Sequence, residues 1–139
     1  MTPNAARRWL GLGAAYGAVA GLALAAAALS PAVSARIFAE GFRLAPEAAG
    51  PVTGGARQAL GVSGALTAGW SLTAWMLRDS MATDARVARA LAWGMSAWFI
   101  VDAIVSVATG AALNIAGNIT FWLALVPPSL AFARARVRE

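Results

Sequence analysis

Asp102 is a carboxylate inside an apolar stretch that runs from Trp98 to Thr109, and no other residue of the sequence costs as much to bury. In the middle of a membrane-spanning helix, a charged side chain costs roughly 2.5–3.5 kcal/mol on insertion scales. Residues of this kind usually face the protein interior and mark ligand, proton or ion sites. Asp102 is therefore the first candidate for a functional residue.

Polar residues on three predicted helices have a spacing that places them at the depth of Asp102. Ser106 lies one helical turn after Asp102, and a short uncharged turn makes the helix that follows a neighbour. Residues four apart share a helical face, so we expect one polar layer in the outer half of the membrane. The layer comprises Ser63, Thr67, Asp102, Ser106, Asn114 and Asn118.

Two tryptophans extend the same faces by one helical turn. Trp98 precedes Asp102 by four residues and Trp122 follows Asn118 by four, so both are predicted to lie beneath the polar layer. One interpretation is an aromatic floor below a polar opening, a shape suited to a quinone headgroup, a lipid or another small amphiphile. The other is an ordinary packed core, since aromatic side chains dominate cores. With the polar layer, Trp98 and Trp122 complete the candidate ligand-binding residues.

The sequence leaves three roles open for Asp102. Asn118 or Ser106 can satisfy its carboxyl group, in which case the cluster only joins helices through hydrogen bonds. Alternatively, Asp102 is a ligand or proton site, or it contacts another subunit.

The residue types that most catalytic and metal sites require are missing. The chain contains no cysteine and no histidine, which removes thiol nucleophiles, disulfides and the imidazole ligands of haem or zinc. Within the predicted spans there is no second carboxylate to form an acid–base pair with Asp102. We therefore predict no catalytic residue and no metal site. A membrane enzyme would need a partner protein to supply the missing groups.

The composition indicates a membrane protein. Of the 139 residues, 60% are hydrophobic and 12% are charged, and the mean hydropathy is +0.66. Soluble domains carry about 25% charged residues. The apolar residues form long blocks, as expected for helices in a bilayer. The net charge of +5 does not indicate nucleic-acid binding, because the arginines lie at the ends of apolar runs.

The predicted fold is an all-α integral membrane antiparallel four-helix bundle, a single transmembrane domain over residues 1–139. We expect spans at about residues 9–30, 57–77, 89–109 and 114–133, the last interrupted by Pro127-Pro128, and a charged turn at 78–89. Residues 32–55 are predicted to lie in the membrane interface, with a short amphipathic helix over 33–44 after the first span.

Arg7-Arg8 before an apolar run also resembles a signal peptide, but the 21 uncharged residues from Trp9 to Leu29 favour a retained helix.

Small residues are expected to bring the first two spans close together. On the first span, glycines repeat every four residues, and further glycines thin the second span. Faces of small residues allow helix backbones to approach in membranes. The predicted helix-packing residues are Gly13, Gly17, Gly21, Gly61, Gly64 and Gly69.

The distribution of arginine predicts the membrane orientation. The side that holds both termini carries eight: Arg7, Arg8, Arg78, Arg86, Arg89, Arg134, Arg136 and Arg138. The opposite side carries three: Arg36, Arg43 and Arg57. The positive-inside rule therefore places both termini in the cytoplasm. All basic residues are arginine, and abundant Ala and Gly are typical of a GC-rich bacterial genome, so we expect a bacterial inner (cytoplasmic) membrane.

The layout resembles small bacterial four-helix membrane proteins of the DoxX-like type and related uncharacterised families. The resemblance lies in one span, a re-entry stretch with Pro and Gly from Ser30-Pro31 to Gly55, and three further spans with tight turns. The segment from Gly61 to Trp70 is similar to the small-residue-rich second span of such proteins. The resemblance implies a membrane partner of redox or quinone-linked enzymes, and it carries over no functional residue.

We predict a non-catalytic subunit or accessory factor of a larger inner-membrane assembly. The chain is small, its helices are rich in Gly and Ala, and it lacks the residues of a catalytic site. The expected partners are the lipid bilayer and other membrane subunits or further copies of the chain. The alternative is a binding or transport module for a small molecule, lipid or quinone, with Asp102 at its centre. A bound lipid or quinone is the one cofactor that this alternative implies.

Overall fold

The structure, a computed structural model, describes residues 1–41 and 52–136, and every regular element in these ranges is helical. Helix α1 comprises Pro3–Ala27, and α2 comprises Pro31–Arg36 and continues into a π-helical turn over Ile37–Gly41. Three long helices follow: α3, Gly54–Thr83, α4, Ala85–Ala108, and α5, Ala112–Arg136. The all-α prediction is confirmed for this part of the chain.

Among the described residues, three helices are long and apolar enough to cross a membrane: α1, α4 and the Leu113–Ala135 portion of α5. They coincide with three of the four predicted spans. The predicted second span lies within α3, which is 30 residues long. It is less apolar than the other long helices because glycine, serine and threonine recur along it.

The junction between α3 and α4 is a single extended residue. The Asp84 N–H donates to the Ser80 carbonyl and so ends α3. The Asp84 side chain accepts a hydrogen bond from the Arg86 backbone N–H at 2.7 Å and so begins α4, as an acidic N-cap does. The predicted charged turn at 78–89 is therefore wrong, because helix continues on both sides of Asp84.

Pro127 and Pro128 do not interrupt α5, contrary to the prediction from sequence. A proline inside a helix leaves the carbonyl four residues earlier without its usual donor. For Pro128 this carbonyl belongs to Ala124, and α1 packs directly against it through Gly13. A Cβ atom on Gly13 would lie 2.7 Å from the Ala124 oxygen. Close packing on α1 therefore covers the backbone group that the proline releases.

The predicted interfacial segment begins beside the end of α1. Ser30 caps α2, and the buried Ser34 hydroxyl donates to the Ala27 carbonyl at 3.0 Å. This bond links α2 to the last residue of α1. An amphipathic helix is predicted over 33–44, and the structure is helical at these positions up to Gly41. The last predicted positions, 42–44, lie outside the described residues.

Contacts between α1 and α3 run in opposite order along the two helices. Near the start of α1, Arg7 forms an exposed ion pair with Asp79 near the end of α3. Near the start of α3, Arg57 donates to the carbonyls of Ala28 and Leu29 at 2.9 and 3.0 Å, just after α1 ends. The two helices are thereby held together at both ends.

Between these ends, glycines let the backbones of α1 and α3 touch. A Cβ atom on Gly21 would lie 2.5 Å from the Ala68 nitrogen, and one on Gly64 would lie 2.5 Å from the Ala25 nitrogen. The predicted packing glycines that lie this close to neighbouring atoms are Gly13, Gly17, Gly21 and Gly64, and Gly61 is in looser contact with Ala28. Gly69 differs, because a Cβ atom there would meet no atom within 4 Å.

The helices pack as two pairs. Helix α1 lies mainly against α3, α4 lies mainly against α5, and α1 also contacts α5. In contrast, α3 and α4 contact each other little although they are consecutive in the chain. The buried core, which includes Leu10, Met81, Leu91, Leu125 and Phe132, fills the half of the molecule near Asp84. In the other half, a gap separates α3 from α4.

Gly21→Ala should destabilise the protein by about 1–3 kcal/mol, because the new methyl group would overlap backbone atoms of α3 that cannot rotate away. Gly69→Ala is the matched control on the partner helix and should leave the stability unchanged or raise it by up to about 1 kcal/mol. Unfolding in mixed micelles, followed by circular dichroism, measures both. Equal effects of the two substitutions would contradict the close packing of α1 on α3.

Candidate functional site

A cavity of about 670 Å³ fills the gap between α3 on one side and α4 and α5 on the other. Seven of the eight candidate ligand-binding residues line it: Ser63, Thr67, Trp98, Asp102, Ser106, Asn114 and Asn118. The rest of the lining is mostly apolar, with Leu66, Met95 and Val105 among its residues. The cavity therefore has a polar wall at Asp102 and apolar walls elsewhere.

Asp102 is the centre of a hydrogen-bonded cluster between α4 and α5. Its Oδ2 atom accepts hydrogen bonds from Asn114 Nδ2 at 2.9 Å, from Ser106 Oγ at 3.3 Å and from Asn118 Nδ2. Asn114 Nδ2 also donates to Ser106 Oγ at 2.9 Å, which closes the cluster. Three donors on one carboxylate oxygen offset part of the cost of removing that oxygen from water.

The turn between α4 and α5 positions the two asparagines. Gly110 has a φ of 71°, a left-handed conformation that glycine adopts without strain. Its N–H donates to the Val107 carbonyl, and the Ala111 N–H donates to the Ser106 carbonyl, the two bonds of a Schellman motif. This ending reverses the chain within a few residues. Asn114 consequently lies in the first turn of α5, where its side chain reaches Asp102.

Ser63 and Thr67 line the cavity but do not join the Asp102 cluster. The Ser63 hydroxyl donates to the Ala59 carbonyl and the Thr67 hydroxyl donates to the Ser63 carbonyl, both at 2.9 Å and within α3. The predicted polar layer is therefore divided. One part is a cluster on α4 and α5, and the other consists of hydroxyl groups across the cavity on α3.

Trp122 does not lie on the cavity, although the sequence predicts it there. Its indole N–H donates to Ser96 Oγ at 3.1 Å, and its ring packs against Phe99 with 6.3 Å between centroids. Two successive steps of four residues from Asn114 rotate position 122 by about 80° around the helix. Position 121 deviates from the direction of Asn114 by only about 20°, and Phe121 lines the cavity instead.

Several residues that line the cavity are not among those predicted from the sequence. Ser71 continues the four-residue spacing of Ser63 and Thr67, a signal that could have identified it. Trp70 lines the cavity and is 42% exposed. Phe38 reaches the lining from the π-helical turn after α2, and periodicity within a span gives no signal for such a residue.

The charges of the described residues leave Asp102 without an ionic partner. The ion pairs in these ranges join Asp79 to Arg7 and Arg78, at the far end of α3. No group of three or more His, Cys, Asp or Glu side chains in these ranges could hold a metal ion. In chemical terms, the Asp102 cluster offers a carboxylate, two amides and a hydroxyl group beside a mostly apolar space. These groups can orient and bind a molecule through hydrogen bonds and charge.

Comparisons with protein-family models, with curated proteins and with solved structures find no match to this chain. The functional interpretation therefore depends on the geometry of the cavity and on the sequence.

A double-mutant cycle should detect coupling between Asp102 and Asn118. The cycle compares Asp102→Ala, Asn118→Ala and the double variant. We expect an interaction energy of about 0.6–1.7 kcal/mol, the range for hydrogen bonds between membrane helices. Ser63→Ala is the matched control, because its hydroxyl bonds to its own helix. Its interaction energy with Asp102→Ala should be near zero. The cycles are measured by unfolding in mixed micelles, and equal coupling of Asp102 to both partners would contradict the assigned cluster.

Proposed function

We propose that this chain is a four-helix membrane protein whose cavity binds one small amphiphilic molecule, of the size of a quinone headgroup or of part of a lipid. The observation that carries the proposal is the cavity of about 670 Å³ with Asp102 in its wall. Ligand sites in proteins are typically concave spaces of roughly 300–1,000 Å³, mostly apolar, with a few convergent polar groups. The cavity between α3 and α4 has each of these properties.

The gap between α3 and α4 offers such a molecule a route from the bilayer. Leu66 on α3 and Val105 on α4 line the cavity and are 57% and 54% exposed. Exposed apolar side chains at the edge of a cavity are compatible with lipid contact. An amphiphile can therefore enter between the helices with its apolar part in the bilayer and its polar part toward Asp102.

The proposal includes α3 as a fourth, antiparallel span. Between Arg57 and Arg78, α3 contains no charged residue, and it packs along the length of α1. The excess of arginine near the Asp84 end supports cytoplasmic termini in a bacterial inner membrane. In this orientation, the cavity lies in the outer half of the membrane.

The immediate neighbours of Asp102 favour binding over catalysis. Acid–base catalysis usually needs a second titratable group within hydrogen-bond reach of the substrate. The groups bonded to Asp102 are two amides and a hydroxyl, which hold the carboxylate in place. The proposed role is therefore non-catalytic.

A second candidate is a subunit or accessory factor of a larger membrane assembly. Gly69 and Gly117 favour it, because each leaves an open surface where a Cβ atom would meet no atom of the described chain within 4 Å. Surfaces of small residues suit the close approach of another helix. The resemblance to DoxX-like proteins, and the redox-linked partner that it implies, belong to this candidate. Native mass spectrometry from lipid showing a free monomer throughout would count against it.

Filling the cavity should displace the bound molecule. Thr67→Phe introduces a large ring opposite Asp102, whereas Thr73→Phe introduces the same ring on the exposed, non-lining side of α3. Native mass spectrometry of protein extracted with its lipids should show one retained small molecule for the wild type and Thr73→Phe, and none for Thr67→Phe. Retention by all three proteins would contradict binding in the cavity.

A further inference from the structure

We infer that the polar end of the bound molecule is an organic cation, a protonated amine, which Asp102 holds by its second carboxylate oxygen. The inference rests on the proposed function and deepens it by assigning the charge of the ligand. Four observations on the cavity wall carry it.

The two oxygens of Asp102 have different surroundings. Oδ2 accepts all three hydrogen bonds of the cluster. Oδ1 receives no hydrogen bond from the described residues. It is also not buried, since no buried side-chain oxygen in these residues lacks a hydrogen-bond partner. Since Asp102 lines the cavity, Oδ1 is accessible to a molecule bound there. The cluster thus holds Oδ2 in place and leaves Oδ1 available to a ligand.

The cluster around Asp102 is rich in acceptors. Both hydrogens of Asn114 Nδ2 are used, one to Asp102 and one to Ser106, and the Ser106 hydroxyl is itself bonded to Asp102. The side-chain oxygens of Asn114 and Asn118 accept no hydrogen bond from the described part of the chain. Within the cluster itself, the groups left for a ligand are three acceptor oxygens, of Asp102, Asn114 and Asn118, and one hydrogen on Asn118. A protonated amine, which only donates, matches this set better than a quinone carbonyl, which only accepts.

Charge balance leads to the same ligand class. An ionised carboxylate in a membrane helix is costly unless a positive charge compensates it. Arg57, on the same half of the molecule, is bound to the carbonyls of Ala28 and Leu29, and the described ion pairs do not include Asp102. A cationic ligand would supply a compensating charge, which the ion pairs of residues 1–41 and 52–136 do not.

Aromatic rings complete the site. Trp70 on α3 and Trp98 on α4 line the cavity together with Asp102. The face of an indole ring attracts a cation placed within about 6 Å of its centre. Two indole rings and a carboxylate in one apolar cavity therefore favour an ammonium group over a neutral or anionic one.

Matched probes test the charge directly. The full chain in nanodiscs is titrated calorimetrically with 4-phenylbutylamine, which is protonated at neutral pH, with the neutral 4-phenyl-1-butanol, and with the anionic 5-phenylpentanoate. Empty nanodiscs give the partition background. Decylubiquinone serves as a neutral quinone probe. We expect saturable binding of the amine, with a Kd at least about tenfold lower than that of the alcohol. A hydrogen bond to a charged group contributes more free energy than a tenfold change in Kd requires. The carboxylate should show no saturable binding.

Asp102→Asn should weaken amine binding at least about tenfold while leaving the alcohol unaffected, because Asn keeps the shape and an acceptor oxygen but removes the charge. Asp84→Asn is the control with the same charge change, at an exposed N-cap position where Asn is an equally good cap. It should bind the amine as the wild type does. The comparison of probes on the wild type remains decisive if Asp102→Asn does not fold.

The outcomes separate the inference from the proposed function. Decylubiquinone or the alcohol could bind saturably with an affinity equal to or above that of the amine. This result would contradict the inference that the ligand is a cation, but it would agree with the proposal that the cavity binds a small molecule. Equal amine affinity in Asp102→Asn and the wild type would also overturn the inference. Absence of saturable binding by all four probes would overturn both.

Discussion

Two helix backbones can lie in direct contact only where no side chain separates them, and this constraint determines the arrangement of the molecule. Gly21 on α1 and Gly64 on α3 meet it, so α3 lies against α1 along much of its length. The short turn at Gly110 places α4 and α5 side by side. Because α3 is bound to α1, it diverges from α4 beyond their junction at Asp84. The cavity is the space between the two pairs.

The position of Asp102 gives this space its chemical character. Asn114, Asn118 and Ser106 compensate one oxygen of the carboxylate and bind α4 to α5. A purely structural cluster has no need of an accessible second oxygen, and Asp102 lines a cavity of about 670 Å³. Stability and binding can therefore depend on the same side chain. The hydrogen bonds join the helix pair, and in the proposed function the second oxygen contacts the ligand.

The sequence predicts the local features of this structure better than its helix pairing. Long uncharged runs identify three of the candidate spans, and the four-residue spacing brings Asp102, Ser106, Asn114 and Asn118 to one cavity wall. Trp122 shows the limit of spacing, because repeated steps of four drift around a helix of 3.6 residues per turn. Ser63 and Thr67 show another limit, since a hydroxyl group in a helix has a carbonyl of its own helix within reach. The gap between α3 and α4 depends on which helices pair, and periodicity within one helix carries no such information.

An experimental structure of the protein in a lipid environment, determined without added ligand, shows whether the cavity holds a molecule. We expect α3 and α4 to stay apart at Thr67 and Asp102, with non-protein density within hydrogen-bond distance of Asp102 Oδ1. Direct packing of α3 on α4, with Oδ1 bonded to a protein donor, would contradict this expectation.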